Sequence, residues 1–267
     1  MAHSMTLVVF TFLSQLAIGA FVAFFFLDTL KKAVSKKTSF IALMTILAVS
    51  VVAVIVSVFH LGHPLNAYRA ILNFGQSWLT REIVFFPAFI LFVCMYAFFA
   101  KTESMKKTIG WISVVLGIIT IFCTAMIYTI PAMPAWDNAT TTIAFYVTAL
   151  LAGPVLIQVL VSVLDGKFVD FTFFTLGAAI FAIGLNVVNL TIMNGSFPAA
   201  VETASLLMSS PLFWVKMVLL MIGLVISVVL VVNKKCKTVT FASVILVCFV
   251  VAEFIGRMLF YSTGVHL

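Results

Sequence analysis

Residues 39–83 read SFIALMTILAVSVVAVIVSVFHLGHPLNAYRAILNFGQSWLTREI. From Ser39 to Phe59 there is no charged side chain. About 20 apolar helical residues are what a bilayer core of roughly 30 Å requires. The pattern then breaks. His60 to Ile83 carries two histidines, two arginines and a glutamate, with Gly62 and Pro64 as helix breakers, before apolar residues resume. Backbone groups cannot stay unpaired in hydrocarbon, so the flanking runs must be helices. The stretch therefore reads as a helix that crosses, a polar interval at the membrane surface, and a helix that returns.

The same reading extends over all 267 residues, of which 64% are hydrophobic and only 9% charged. A soluble domain carries far more charge than this. Eight apolar runs are long enough to span, near 6–28, 39–59, 82–100, 109–130, 140–164, 171–193, 212–232 and 238–260. The expected fold is an all-α polytopic membrane protein of eight transmembrane helices, a single integral domain over 1–267, with a four-plus-four arrangement left open. No basic region precedes the first run, so it is expected to be a span and not a cleaved leader. The net charge of +7 does not point to nucleic acid. Eleven lysines sit in short loops: Lys31, Lys32, Lys36, Lys37, Lys101, Lys106, Lys107, Lys167, Lys234, Lys235 and Lys237. The alternate loops, 60–81, 131–139 and 194–211, are longer and free of lysine. The positive-inside rule puts the lysine loops in the cytoplasm and both termini, with the long loops, outside. Cys94, Cys123, Cys236 and Cys248 form no CxxC pair, so neither a disulfide framework nor an iron–sulfur cluster held by this protein is expected.

Chemistry is then expected within the membrane or on the outer face. His60, His63, Arg69, Arg81 and Glu82 converge on one membrane edge, where polar groups are costly. Their plain reading is solvated interfacial side chains, with Glu82 favoured at a helix N-terminus by the dipole. Their functional reading is hydroquinone oxidation, which releases two electrons and two protons and needs a hydrogen-bonding base near the surface. Histidine suits that role, and so does a half-buried glutamate. Residues 66–74 have the makings of a short interfacial helix. Tyr128 to Trp136, YTIPAMPAW, form a proline-stopped turn on the same face, placed to close over 60–81 or to dock a partner. In the last run, Glu253 and Arg257 lie four residues apart with the acid first, the better order for an ion pair, and read as a structural lock between helices. Lys216 near an outer helix end can snorkel or touch a partner or a quinone oxygen. Ser14, Gln15, Asn186 and Asn189 read as interhelical hydrogen-bonding groups. Haem is not expected: His3 and His266 are terminal, and no second span offers a histidine partner to His60. HxxH alone supplies two ligands, so no metal site is expected either.

HLGHPLNAYRAILNFGQSWLTREI, together with YTIPAMPAW and EFIGRMLFY (253–261), resembles the membrane-anchor subunits of dimethyl-sulfoxide-reductase-type molybdoenzymes, the DmsC family, over essentially the whole chain. The resemblance implies an anchor without a redox cofactor of its own in a bacterial or archaeal cytoplasmic (inner) membrane. Such an anchor oxidises menaquinol near the outer face during anaerobic respiration. Its partners would be a four-cluster iron–sulfur subunit and, beyond it, a molybdopterin catalytic subunit, with membrane lipid around the spans. Carried over by position, His60 and Glu82 match the family's quinol-site histidine and glutamate. His63, Arg69, Arg81, Tyr128 and Trp136 become supporting or docking residues. The terminal acceptor stays open among S-oxides, N-oxides and other oxyanions. The alternatives are a small-molecule transporter and a purely structural anchor with no quinone site.

Overall fold

A computed structural model describes residues 2–30, 34–60, 74–233 and 236–267. Eight helices in it have the length and apolar composition to cross a membrane, and no strand occurs among the described residues. They are α1 (Ala2–Phe25, continued by a π-helical turn Phe26–Leu30), α2 (Lys36–His60), α3 (Trp78–Phe98), α4 (Glu103–Met126), α5 (Ala139–Asp165), α6 (Thr172–Asn194), α8 (Pro211–Val232) and α9 (Val239–Thr263). A shorter helix, α7 (Pro198–Ser209), stands between α6 and α8, where a plain loop is expected from sequence. Pro198 at its first position is the local signal for it, since that position needs no N–H donor. The short helix expected over 66–74 falls almost entirely outside the described residues.

Helix starts follow their caps. Ser77, Thr102, Asn138 and Thr238 each accept a backbone N–H from the first turn of α3, α4, α5 and α9. Ser77 draws α3 back to Trp78, four residues before the expected start at 82, so Thr80 and Arg81 belong to the helix despite their polarity. Gly166, with φ of +66°, ends α5 in the left-handed conformation. The carboxylate of Asp165 just before it accepts from the hydroxyls of Ser35 and Thr38 at 2.7 and 2.5 Å, tying the end of α5 to the start of α2.

The helices form two four-membered rings. In the first, α1 packs on α2 and α4, and α3 packs on α4 and α2; in the second, α5 packs on α6 and α9, and α8 packs on α9 and α6. The leading helix of each ring, α1 and α5, is also the joint between them. Within their apolar windows 72% of α1 and 67% of α5 are buried inside the protein, against 17–28% of α2, α3, α6 and α8, whose free faces are left for lipid. Small residues permit this closeness. A Cβ on Gly153 would stand 2.2 Å from the Gly19 carbonyl carbon, and one on Gly19 would stand 2.1 Å from the Ala149 oxygen. The four-plus-four arrangement is therefore a property of the fold. An even number of crossings puts both ends of the chain on the side of the turns 127–138 and 195–210, opposite the lysine-bearing loops.

Candidate functional site

Glu82 sits one turn inside α3 and is only 5% exposed. It is not a helix-terminal carboxylate: the first turn of α3 holds no acid, and Glu82 faces α4, where the Thr124 hydroxyl is its partner. Thr124 also reaches the carbonyl of Thr120 at 3.0 Å. Arg81 turns the other way. Its Nε and Nη2 donate to the carbonyls of Phe74 and Gly75 at 3.1 and 2.8 Å, and its guanidinium lies 4.1 Å above the Trp78 ring. Arg81 is thus a clasp on the start of α3. Trp78 in turn sets its edge on Phe122 of α4, with ring centres 5.6 Å apart. His60 is the last residue of α2, at the end of the bundle where α3 begins. Its side chain, and His63 and Arg69 altogether, lie outside the described residues.

The turn after α4 folds onto the second ring. Tyr128 touches Trp136, Phe145, Phe260 and Tyr261, with ring centres 5.3–5.9 Å apart. Trp136 stacks on Phe260 at 4.6 Å. Leu267 N donates to the Ala132 carbonyl at 3.0 Å and pins the last residues to this turn. Burial first, and then the neighbouring Tyr261 and Glu82, push the Tyr128 hydroxyl well above its ordinary range.

Behind that aromatic wall the structure gathers polar side chains from five helices. The direct Glu253–Arg257 ion pair expected from their spacing is not made, because Thr148 of α5 comes between them. Its hydroxyl lies 2.6 Å from Glu253 Oε2 and accepts from Arg257 Nη2 at 3.2 Å. The same Nη2 donates to Gln15 Oε1 of α1 at 2.8 Å, and the guanidinium rests 3.7 Å over the face of Phe145. Arg257 instead hydrogen-bonds α9 to α1 and α5. Lys216 does not snorkel outwards. It turns in, donates to Asn186 Oδ1 at 2.8 Å, and lies against Gly256, where a Cβ would come within 2.9 Å of Nζ. The Thr140 hydroxyl lies between Asn138 and Asn189, 2.5 Å from the latter. These groups border a cavity of about 100 Å³ and an adjoining one of about 70 Å³. Sequence reasoning finds Gln15, Asn186, Asn189, Lys216, Glu253 and Arg257; it misses Asn138, Thr140 and Thr148 here, and Thr124 beside Glu82. A threonine in an apolar run ordinarily bonds its own helix, so only the partner across the interface distinguishes Thr124 and Thr148. Among the described residues, no group of three or more histidines, cysteines or acids is placed to hold a metal ion.

Comparison with known proteins agrees with this architecture. The family model described as "DMSO reductase anchor subunit (DmsC)" matches residues 1–263. The protein is similar to the C subunit of the anaerobic dimethyl sulfoxide reductase of Haemophilus influenzae, 28% identical over 276 residues that cover 99% of this sequence and 95% of that one. It is also similar to the YnfH subunit of an Escherichia coli anaerobic dimethyl sulfoxide reductase, at 29% over 275 residues (99% and 95%), and to the E. coli C subunit, at 26% over 282 residues (99% and 96%).

Proposed function

This chain belongs to the DMSO reductase anchor subunit family, and on that premise we propose that it oxidises menaquinol in the membrane and passes the electrons to an iron–sulfur partner. The observation that carries the reading is Glu82. It is a carboxylate buried among apolar helices whose partner among the described residues is a neutral hydroxyl and not a cation, at the end of the bundle where α2 finishes in His60. Structural carboxylates inside a membrane are normally neutralised by a charge partner, so one without such a partner reads as a proton acceptor. The physiological setting we propose is anaerobic respiration at a bacterial or archaeal cytoplasmic membrane. The lysine loops would lie in the cytoplasm, and the termini and Glu82 near the outer leaflet.

In this mechanism menaquinol enters sideways from lipid. His60 accepts the hydrogen bond, and then the proton, of one ring hydroxyl. Glu82 takes or relays the other proton, and Thr124 holds its carboxyl in place. Both protons leave to the outer aqueous side, and two electrons leave for the partner, so quinol becomes quinone. Tyr128 and Trp136 form the rigid aromatic wall behind the site. Arg81 fixes the start of α3, and the loops at 60–81 and 131–139 are the docking surface. The docked partner is a four-cluster iron–sulfur subunit, which feeds a molybdopterin catalytic subunit.

The test uses the assembled complex. Glu82→Gln and His60→Ala should each lower quinol-dependent turnover by roughly a hundredfold, the scale of a lost acid–base group. Turnover with an artificial donor that reduces the partner directly should stay as it was. Unchanged quinol turnover in an intact complex would remove this reading and leave a structural anchor.

A further inference from the structure

The two adjoining cavities between α5, α6, α8 and α9 share Asn186, Asn189, Lys216, Glu253 and Phe260 in their walls, and Arg257 completes the larger one. Thr203 and Leu207 of α7 border it from the side of the chain termini. Their polar walls lie deep. Glu253 is ten residues from the end of α9, about 15 Å along the helix, and Lys216 is five residues inside α8, about 8 Å. Glu253 is buried at that depth, and the half-buried Lys216 turns to Asn186 and not to the surface.

The charges of this space do not balance. Lys216 and Arg257 are two cations facing one carboxylate, Glu253, and among the described residues neither cation lies within ion-pair distance of any acid. Glu253 Oε2 is engaged with Thr148. Lys216 spends one N–H on Asn186, which leaves two. Arg257 spends Nη2 on Gln15 and Thr148, while its buried Nε has no partner. A net positive charge held at this depth is costly unless an opposite charge joins it. Both cations keep unspent donors, so an acceptor carrying negative charge would complete the space. Its volume, about 100 Å³, admits a small ion with part of its hydration shell.

We infer that this cavity is a binding site for one small monovalent anion of halide size, held by Lys216 Nζ and Arg257 Nε. The site is separate from the Glu82 reading and stands or falls without it. Bound there, the anion completes the charge count of the second ring and fixes α8 against α9.

The test is made on the protein with its native partners, in lipid nanodiscs, with chloride or bromide exchanged for the bulky gluconate at constant ionic strength. The melting temperature should rise saturably with chloride and bromide and stay flat in gluconate. Bromide should appear in the cavity by anomalous scattering from crystals. Glu253→Gln leaves both cations unopposed and should lower the half-saturating anion concentration at least tenfold, whereas Lys216→Met should abolish the anion dependence. A purely structural pair of side chains predicts neither the tightening nor its sign. Identical melting in chloride and gluconate would overturn the proposal, as expected for a cavity that holds only water beside an uncharged lysine. So would anion dependence that survives Lys216→Met. If Lys216→Met does not assemble, Glu253→Gln and the bromide position decide: no tightening, or no bromide at the cavity, refutes the site.

Discussion

Thr148 shows how much a single hydroxyl can carry in a low-dielectric interior. It accepts from Arg257 and donates to Glu253, so one small side chain stands between two opposite charges and keeps both hydrogen-bonded. Thr148→Val keeps the shape and removes both bonds. It should cost about 1–3 kcal/mol, the penalty of leaving buried partners unsatisfied, read as a lower melting temperature of the purified complex. Thr148→Ser should recover most of that loss. The contrast with Glu82 is instructive. Both acids are buried and both are bonded by a threonine of a neighbouring helix, but among the described residues only Glu253 has a cation on the same hydroxyl. At this scale the sequence was half legible. Glu82, Glu253, Arg257 and Lys216 announce themselves, because a charge within or beside an apolar run always needs an explanation. What no single sequence reports is which neutral neighbour answers each charge. Thr124 and Thr148 are two among many threonines in apolar runs, and they differ from the rest only by what faces them.

Element boundaries are legible from hydropathy only approximately, and the caps at Ser77, Thr102, Asn138 and Thr238 set them. The eight spans lie within six residues of the expected ranges; the largest miss is the start of α4 at Glu103 instead of 109, and α3 starts four residues early, where the polar Thr80 and Arg81 precede the apolar run. Capping by Ser77 outweighs that polarity, and Arg81 satisfies itself on the carbonyls of Phe74 and Gly75. Packing between elements was not legible, since hydropathy has no term for shape. The glycines make the point. A Cβ at Gly184 of α6 meets nothing within 4 Å, whereas one at Gly153 of α5 runs into the backbone of α1. Gly184→Ala should therefore leave the yield of assembled protein unchanged. Gly153→Val should part α1 from α5, and the protein should be lost from the membrane fraction. Comparable yields of the two variants would show that the α1–α5 contact is not needed.

For the whole molecule, the lysine distribution and the fold describe the same asymmetry. The described lysines of the short loops share one end of the bundle, where Lys106 pairs with Asp28 at 3.4 Å and Lys237 pairs with Asp170 across two loops. Our orientation follows from that end being cytoplasmic. A reporter enzyme that matures only outside the cytoplasm, fused after Leu267, should be active, and a fluorescent protein that matures only inside should be dark. The reverse result would turn the molecule over and move Glu82 to the other leaflet. The close seam between Gly19 and Gly153 has a consequence for how the protein is made. About 135 residues separate the end of the first span from the end of the fifth. At about 5–20 residues per second, α1 waits roughly 7–27 s in the membrane before the helix it fits has been synthesised. During that interval its small-residue face is open to any other helix that can approach as closely. Biogenesis of this protein is therefore a matter of timing, and slowed synthesis of the fourth and fifth spans should raise the fraction of first rings taken for degradation before the second ring arrives.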